Sequence, residues 1–316
     1  MLADLLDSFT DREPILAQFE QFLHTAQPGQ FHLLAIKGNS GTGKTFLIDY
    51  LSRRVCPLAG WQVGQLAFAQ SVPDFRPILE GLEDALKESV PRSKLQQYRD
   101  KREVYKHSFD DYRAAITVAL KVEAREYSHI SDINQNVQVN AELRRRELQL
   151  RTELSRALLE LAEESQCPLC LFIDGYERLV ETDTELVGWL WEDVLLKLAR
   201  TAPHPLLVVA CGWEIPSNPA VKPFSHTVEL DDFDLLRLRN YLEKQGVIAT
   251  DSTSSEQEEL AAAFYELTKG HPLVLSLAVT YFNELEPHER TAHSLQVDRP
   301  LVDERARIEF LPVVAW

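Results

Sequence analysis

The sequence predicts an α/β protein: a three-layer unit with a parallel sheet between two layers of helices, followed by a small all-α domain. Three observations lead there. The stretch LLAIKGNSGTGKTFLIDYL, Leu33 to Leu51, sets an apolar run, a glycine-rich loop and helical spacing in immediate succession. Two later runs, PLCLFIDGYE and PLLVVACGWE, are almost continuously apolar, which suits strands buried on both faces of a parallel sheet. Beyond HTVELDDFD no strand pattern recurs, and the spacing is helical.

Each element has its own warrant. EPILAQFEQFLHTA places Ile15, Leu16, Phe19, Phe22 and Leu23 at helical spacing and opens beside Asp11 and Pro14, a reasonable start signal. WQVGQLAFAQ alternates well enough for a second strand. From Phe75 to Ser165 the pattern is helical and highly charged, closing in the amphipathic AELRRRELQLRTELSRALLELAEES. Residues 92–156 hold 14 Lys/Arg against 10 Asp/Glu, the reverse of the acidic whole. A solvated helix face explains that run better than a partner surface. TELVGWLWEDVLLKLAR is a helix between the two apolar strands. DLLRLRNYLEKQG, SSEQEELAAAFYELTKG and HPLVLSLAVTYFNEL are helices beyond them, with Gly246 and Gly270 as C-cap glycines.

A chain of 316 residues exceeds one typical domain, so two packed units are expected. The net charge of −16 argues against a nonspecific nucleic-acid partner, because such affinity comes mostly from Lys and Arg on phosphates. The opening MLADLLDSFTDRE carries acids where a secretory signal carries positive charge, and no apolar run approaches the roughly 20 residues that span a bilayer. The expectation is a cytoplasmic protein with no membrane partner. Cys167 and Cys170 form a C-x-x-C without a second pair at zinc-ribbon spacing, and they read as small buried hydrophobes.

Gly38-Asn39-Ser40-Gly41-Thr42-Gly43-Lys44-Thr45 fits G-x-x-x-x-G-K-[ST] in the strand-before, helix-after context that the motif requires. Glycines there let successive N–H groups converge on phosphate oxygens at a helix N-terminus, with Phe46 in the first helical turn. Lys44 is expected on the terminal phosphates and Thr45 on Mg2+, so the cofactors read as ATP or ADP with Mg2+. In LCLFIDGYERL an apolar strand ends at Asp174, with Glu177 three residues on. Such a strand-tip carboxylate suits the magnesium shell, and the second acid suits orientation of the attacking water. Asp174 lies 130 positions beyond Lys44, which implies an insertion at one edge of the sheet. The expected organisation is a P-loop nucleotide-binding domain over 1–228 with a helical insertion at about 75–165, a helical domain over 229–290, and a tail over 291–316.

These residues resemble the signal-transduction ATPases with numerous domains, the STAND class of P-loop NTPases related to NACHT and NB-ARC modules. FTDRE, Phe9 to Glu13, is similar to that family's GRE motif, LFIDGYERL to its Walker B segment, and TKGHPLVLSLA to its Gly-x-Pro signature. The resemblance covers roughly residues 9–285. It implies that Arg12 and Pro272 lie near the adenine, so that the helical domain senses nucleotide. Asp11 stands where the family commonly has glycine. Trp213 stands where many relatives carry an arginine that reads the terminal phosphate, which implies slow hydrolysis or a basic group from elsewhere.

Three functions stay open: a nucleotide-dependent switch acting on a protein partner or effector, with nucleotide-dependent homo-oligomerisation; an AAA+ type, origin-binding-like motor or remodelling ATPase; and a scaffold that binds nucleotide for stability alone. The apolar tail ARIEFLPVVAW either docks a further segment or folds back on the protein's own core.

Overall fold

The computed structural model describes residues 12–68, 75–123, 131–182, 184–249 and 255–297. Phe9, Asp11 and the apolar tail therefore lie outside the described residues.

The first helix, α1 (Glu13–Thr25), is capped by the Arg12 backbone rather than by a side chain, and it buries Ile15, Phe19 and Leu23 at the spacing read from the sequence. The chain then forms β1 (Phe31–Gly38). Helix α2 (Lys44–Tyr50) runs on through a π-helical turn, Leu51–Val55, into Cys56–Leu58. After β2 (Gln62–Ala67) come α3 (Phe75–Leu86) and two long helices, α4 (Arg92–Glu123) and α5 (Ser131–Ala162). Next are β3 (Leu169–Asp174), α6 (Tyr176–Thr182) and α7 (Thr184–Gly188), the last continuing through a π-helical stretch, Trp189–Leu195, into Leu196–Thr201. Strands β4 (Leu206–Gly212) and β5 (Ser225–Leu230) complete the sheet.

Among the described residues five strands form one parallel sheet in the order β2-β3-β4-β1-β5. Alternation sorts each strand between two cores. Leu33, Leu171, Ile173 and Val208 join α3, α5 and α7 on one face, whereas Leu34, Ile36, Phe172 and Val209 join α1 and α2 on the other. This is the α/β P-loop NTPase fold with a helix layer on each face.

The charged stretch is tied down at its base. Glu83 on α3 is only 3% exposed, and its carboxylate accepts from Arg99 Nε at 2.5 Å and from Arg102 Nη1, both on α4. Leu150, Leu154, Leu158 and Leu161 on α5 enter the same core, and Trp189 Nε1 donates to Ser155 Oγ at 3.0 Å. The amphipathic pattern is thus a packed face, with Lys101–Glu160 and Lys94–Glu164 pairs across the solvated side.

Beyond the sheet, α8 (Leu235–Lys244), α9 (Ser255–Thr268), α10 (Pro272–Glu284) and α11 (Ala292–Val297) close around their own core of Leu238, Leu242, Phe264, Leu275 and Phe282. The Asp234 side chain caps α8 by accepting from the Arg237 N–H at 2.8 Å. No helix among the described residues is long and apolar enough to cross a membrane.

Candidate functional site

In a parallel sheet, ligands bind outside the carboxyl ends of the strands. Here β4 lies between β1 and β3, so the loop leaving β1 faces the tip of β3 across one strand. The loop's path is set by Gly41 and Gly43, with φ of 79° and 93°, a region that L side chains rarely adopt. A Cβ at Gly43 would meet nothing within 4 Å, so backbone angle rather than space calls for glycine there. The Thr42 hydroxyl donates back to the Asn39 carbonyl at 2.9 Å and closes the loop on itself.

Lys44 opens α2, and its Nζ donates to the carbonyls of Gly38 at 2.7 Å and Asn39 at 2.6 Å. Burial pulls the ammonium pKa down, opposed by the nearby carboxylate of Glu177. The next residue, Thr45, donates its hydroxyl to Asp174 Oδ2 at 3.0 Å. Residues 129 apart in sequence are thereby joined at the tips of β1 and β3. Phe46 follows, half-buried in the first turn of α2.

Glu177 sits in the first turn of α6. Its carboxylate is raised above the ordinary range by burial, and the N–H groups of Glu177 and Trp213 and the charge of Lys44 pull it back. The Oε2 atom is buried without a hydrogen-bond partner. Gly212, at the tip of β4, leaves room for it, because a Cβ there would collide with that same oxygen. Trp213 follows, 47% exposed, and brings no charge to the site.

The donor set suits a hard cation. A hydroxyl and a carboxylate already lie within hydrogen-bond distance of each other, and a second, unpartnered carboxylate oxygen is buried beside them. Among the described residues no cluster of three or more His, Cys, Asp or Glu converges.

Arg12 and Pro272 flank the loop from outside the sheet. Arg12 is 7% exposed, and its Nη2 donates to the Thr42 carbonyl at 3.1 Å and to the Asp231 carbonyl at 3.3 Å. Its guanidinium carbon lies 5.2 Å from the centre of the Phe233 ring. Pro272 is the first residue of α10, where its missing N–H is no loss. The structure thus brings the Gly38–Phe46 loop, Asp174 and Glu177 together at one edge, with Arg12 and the Pro272 turn against the loop. Gly212, Phe233 and His271 were not singled out in the sequence. Only His271, as the middle residue of Gly-x-Pro, carried any signal.

Residues 8–209 match the AAA ATPase domain family. The Drosophila ORC bound to DNA is 15% identical, covering 96% of this chain and 70% of that one with a TM-score of 0.51. A Walker-type ATPase of Pyrococcus abyssi is 14% identical over 97% of this chain and 76% of its own, TM-score 0.49. A STAND protein with a tetratricopeptide repeat sensor from Pyrococcus horikoshii is 13% identical over 89% of this chain and 33% of its own, TM-score 0.40. At 15% identity the likeness to the first of these is one of fold alone. Among curated proteins none matches the sequence. With the family match spanning the phosphate loop and both acids, on a parallel sheet whose strand tips carry them, the chain belongs to the AAA ATPase domain family.

Proposed function

We propose that this ATPase domain is a nucleotide-dependent switch of the STAND kind, in which ATP and ADP favour different placements of the helical domain and a protein partner reads the difference. Lys44 takes the terminal phosphates, exchanging its bonds to the Gly38 and Asn39 carbonyls for bonds to phosphate oxygens. Thr45 and Asp174 hold Mg2+. When bound, the ion supplies charge neutralisation on the β and γ phosphates. Glu177 orients the attacking water, and burial raises its pKa from the ordinary carboxylate value, which strengthens it as a proton acceptor. Trp213 supplies no positive charge at the terminal phosphate, so turnover is slow.

The observation that supports a switch over a simple nucleotide binder is the bridge made by Arg12. One buried guanidinium bonds the phosphate loop at Thr42 and the start of the helical segment at Asp231, and lies on Phe233. A loop that changes shape with nucleotide therefore pulls on the junction between the two units. For a switch, nucleotide must bind the two arrangements with unequal affinity.

The test is amide exchange together with mass measurement in ATP, in ADP and without nucleotide. ADP is expected to slow exchange around residues 10–15 and 268–275 as well as in the loop. Protection confined to the loop would refute the switch. Membership of the AAA family favours a second reading, a remodelling ATPase whose missing positive charge comes from a neighbouring copy. That reading predicts an ATP-dependent ring and turnover that rises with protein concentration.

A further inference from the structure

The helical domain touches the phosphate loop directly, at a residue the roles above leave unused. His271 precedes α10 and caps it, its Nδ1 accepting from the Val274 N–H at 3.5 Å. With Nδ1 as the acceptor, Nε2 is the ring nitrogen that carries a proton to donate. That nitrogen is 3.0 Å from the Ser40 carbonyl oxygen and donates to the crown of the loop. The ring also covers Gly41: a Cβ there would strike His271 Cε1, approach Nε2 to 3.0 Å and approach Leu273 Cβ to 3.3 Å.

The imidazole is presented by a stiff turn. Lys269 and Gly270 take successive left-handed conformations, φ 51° and 80°, to carry the chain from α9 into α10. The Gly270 carbonyl accepts from the Phe233 N–H at 2.8 Å, and a Cβ at Gly270 would collide with the Phe233 carbonyl. Phe233 is the ring on which Arg12 lies, so the turn carrying His271 and the bridge carrying Arg12 share one support.

Peptide planarity gives these contacts a consequence. In a trans peptide the C=O of one residue and the N–H of the next point in opposite directions. Holding the Ser40 carbonyl from outside aims the Gly41 N–H away from His271. Arg12, holding the Thr42 carbonyl, does the same for the Gly43 N–H. These are two of the N–H groups through which a phosphate loop grips its anion.

We propose that His271 is a positioning residue for the phosphate loop: its bond to Ser40 keeps the Gly41 N–H aimed at phosphate only while the helical domain is docked, so domain docking sets nucleotide retention. This rests on the nucleotide-binding reading above and adds the residue that couples the two units.

His271→Asn separates this role from helix capping. Asparagine is among the best N-caps and preserves the bond to Val274, but its amide is too short to reach Ser40. His271→Gln carries an N–H donor on a longer arm and serves as the rescue. Release of a fluorescent ADP into excess unlabelled ADP is measured for the parent and both variants, with unfolding midpoints taken without nucleotide. The expected result is that His271→Asn keeps the parental midpoint and releases ADP about five- to tenfold faster, the effect of one lost hydrogen bond, while His271→Gln moves back toward the parental rate. Parental release from His271→Asn, or a glutamine variant no slower than the asparagine one, overturns the proposal. If His271→Asn also loses stability, amide exchange decides: faster exchange at Gly41 with Val274 still protected supports the contact, and the reverse order overturns it. A parent that binds no ADP refutes the nucleotide reading itself, before any variant is compared.

Discussion

Replacing Lys44 with alanine tests the phosphate loop most directly, and the structure sets the size of the effect. A unit charge about 4 Å from a phosphate charge, at an effective dielectric of about 20, is worth about 4 kcal/mol. Lys44 does not start free, since its Nζ donates to the Gly38 and Asn39 carbonyls at 2.7 and 2.6 Å. Exchanging those two bonds offsets about 1 kcal/mol each, leaving roughly 2 kcal/mol, or about a 30-fold weaker Kd for Mg-ATP in Lys44→Ala. Without nucleotide the same variant loses those two ties. One carbonyl remains in contact with water, so the cost is about 1 kcal/mol and a melting shift of about 2 °C. Titration calorimetry and a thermal melt read both numbers. An ATP affinity equal to the parent's would refute the assignment of the loop. A melting loss several times larger, with affinity lost in proportion, would mean that Lys44 is chiefly a structural tie.

Glu177→Gln keeps the shape of the side chain and removes its charge, so ATP binding should persist while phosphate release from ATP falls at least about a hundredfold, the usual scale for a lost acid–base group; a parental rate would refute the role. Burial raises the folded-state pKa of Glu177, so activity in the parent should fall as pH drops through a value above the ordinary carboxylate range, and a rate–pH profile whose acid limb lies at the ordinary value would contradict this. Asp174→Asn should weaken ATP binding in the presence of Mg2+ far more than in EDTA, whereas equal loss in both would exclude Asp174 from the cation site. Glu83→Gln removes the charge from a buried carboxylate that accepts from the partly exposed Arg99 and Arg102, and should cost about 1–3 kcal/mol in urea unfolding with nucleotide affinity retained in the folded protein; an unchanged midpoint would show that the base of the α4–α5 pair is held by apolar packing alone.

What was legible in the sequence was local. The strand, loop and helix around Gly38–Thr45, the apolar strands ending at Asp174 and Gly212, and the glycine-then-proline turn at Gly270 and Pro272 each follow from neighbours a few residues apart. What escaped depends on side chains meeting across long separations. Glu83 reads as one more acid on an amphipathic helix, and only the approach of α4 shows it buried between two arginines. Lys44 is read from the motif as a ligand of the terminal phosphates, and nothing in its neighbours shows that it is half-buried and ties the loop. The helix expected over TELVGWLWEDVLLKLAR is there, but spacing gave no sign of its π-helical stretch. The contact of His271 with Ser40 joins residues 231 apart, and no pattern in the sequence announces it.

The two contacts from outside the sheet differ in strength, and that difference suggests how the units would move. Arg12 is charged and buried, bonds two carbonyls and lies on an aromatic ring; hydrogen bonds to charged groups are worth about 1.5–3 kcal/mol each. His271 is half-buried, and its bond to the exposed Ser40 carbonyl is worth about 1 kcal/mol. Phe233 and Gly270 are locked together by backbone, so the turn cannot shift without turning about that lock. A helical domain that swings under these constraints separates first at His271 and pivots at the Arg12–Phe233 contact. The Thr42 carbonyl then stays held while the Ser40 carbonyl is released. In the proposed switch the support at Thr42 would persist and that at Ser40 would be released, the asymmetry by which nucleotide would be retained in one arrangement and exchanged in the other.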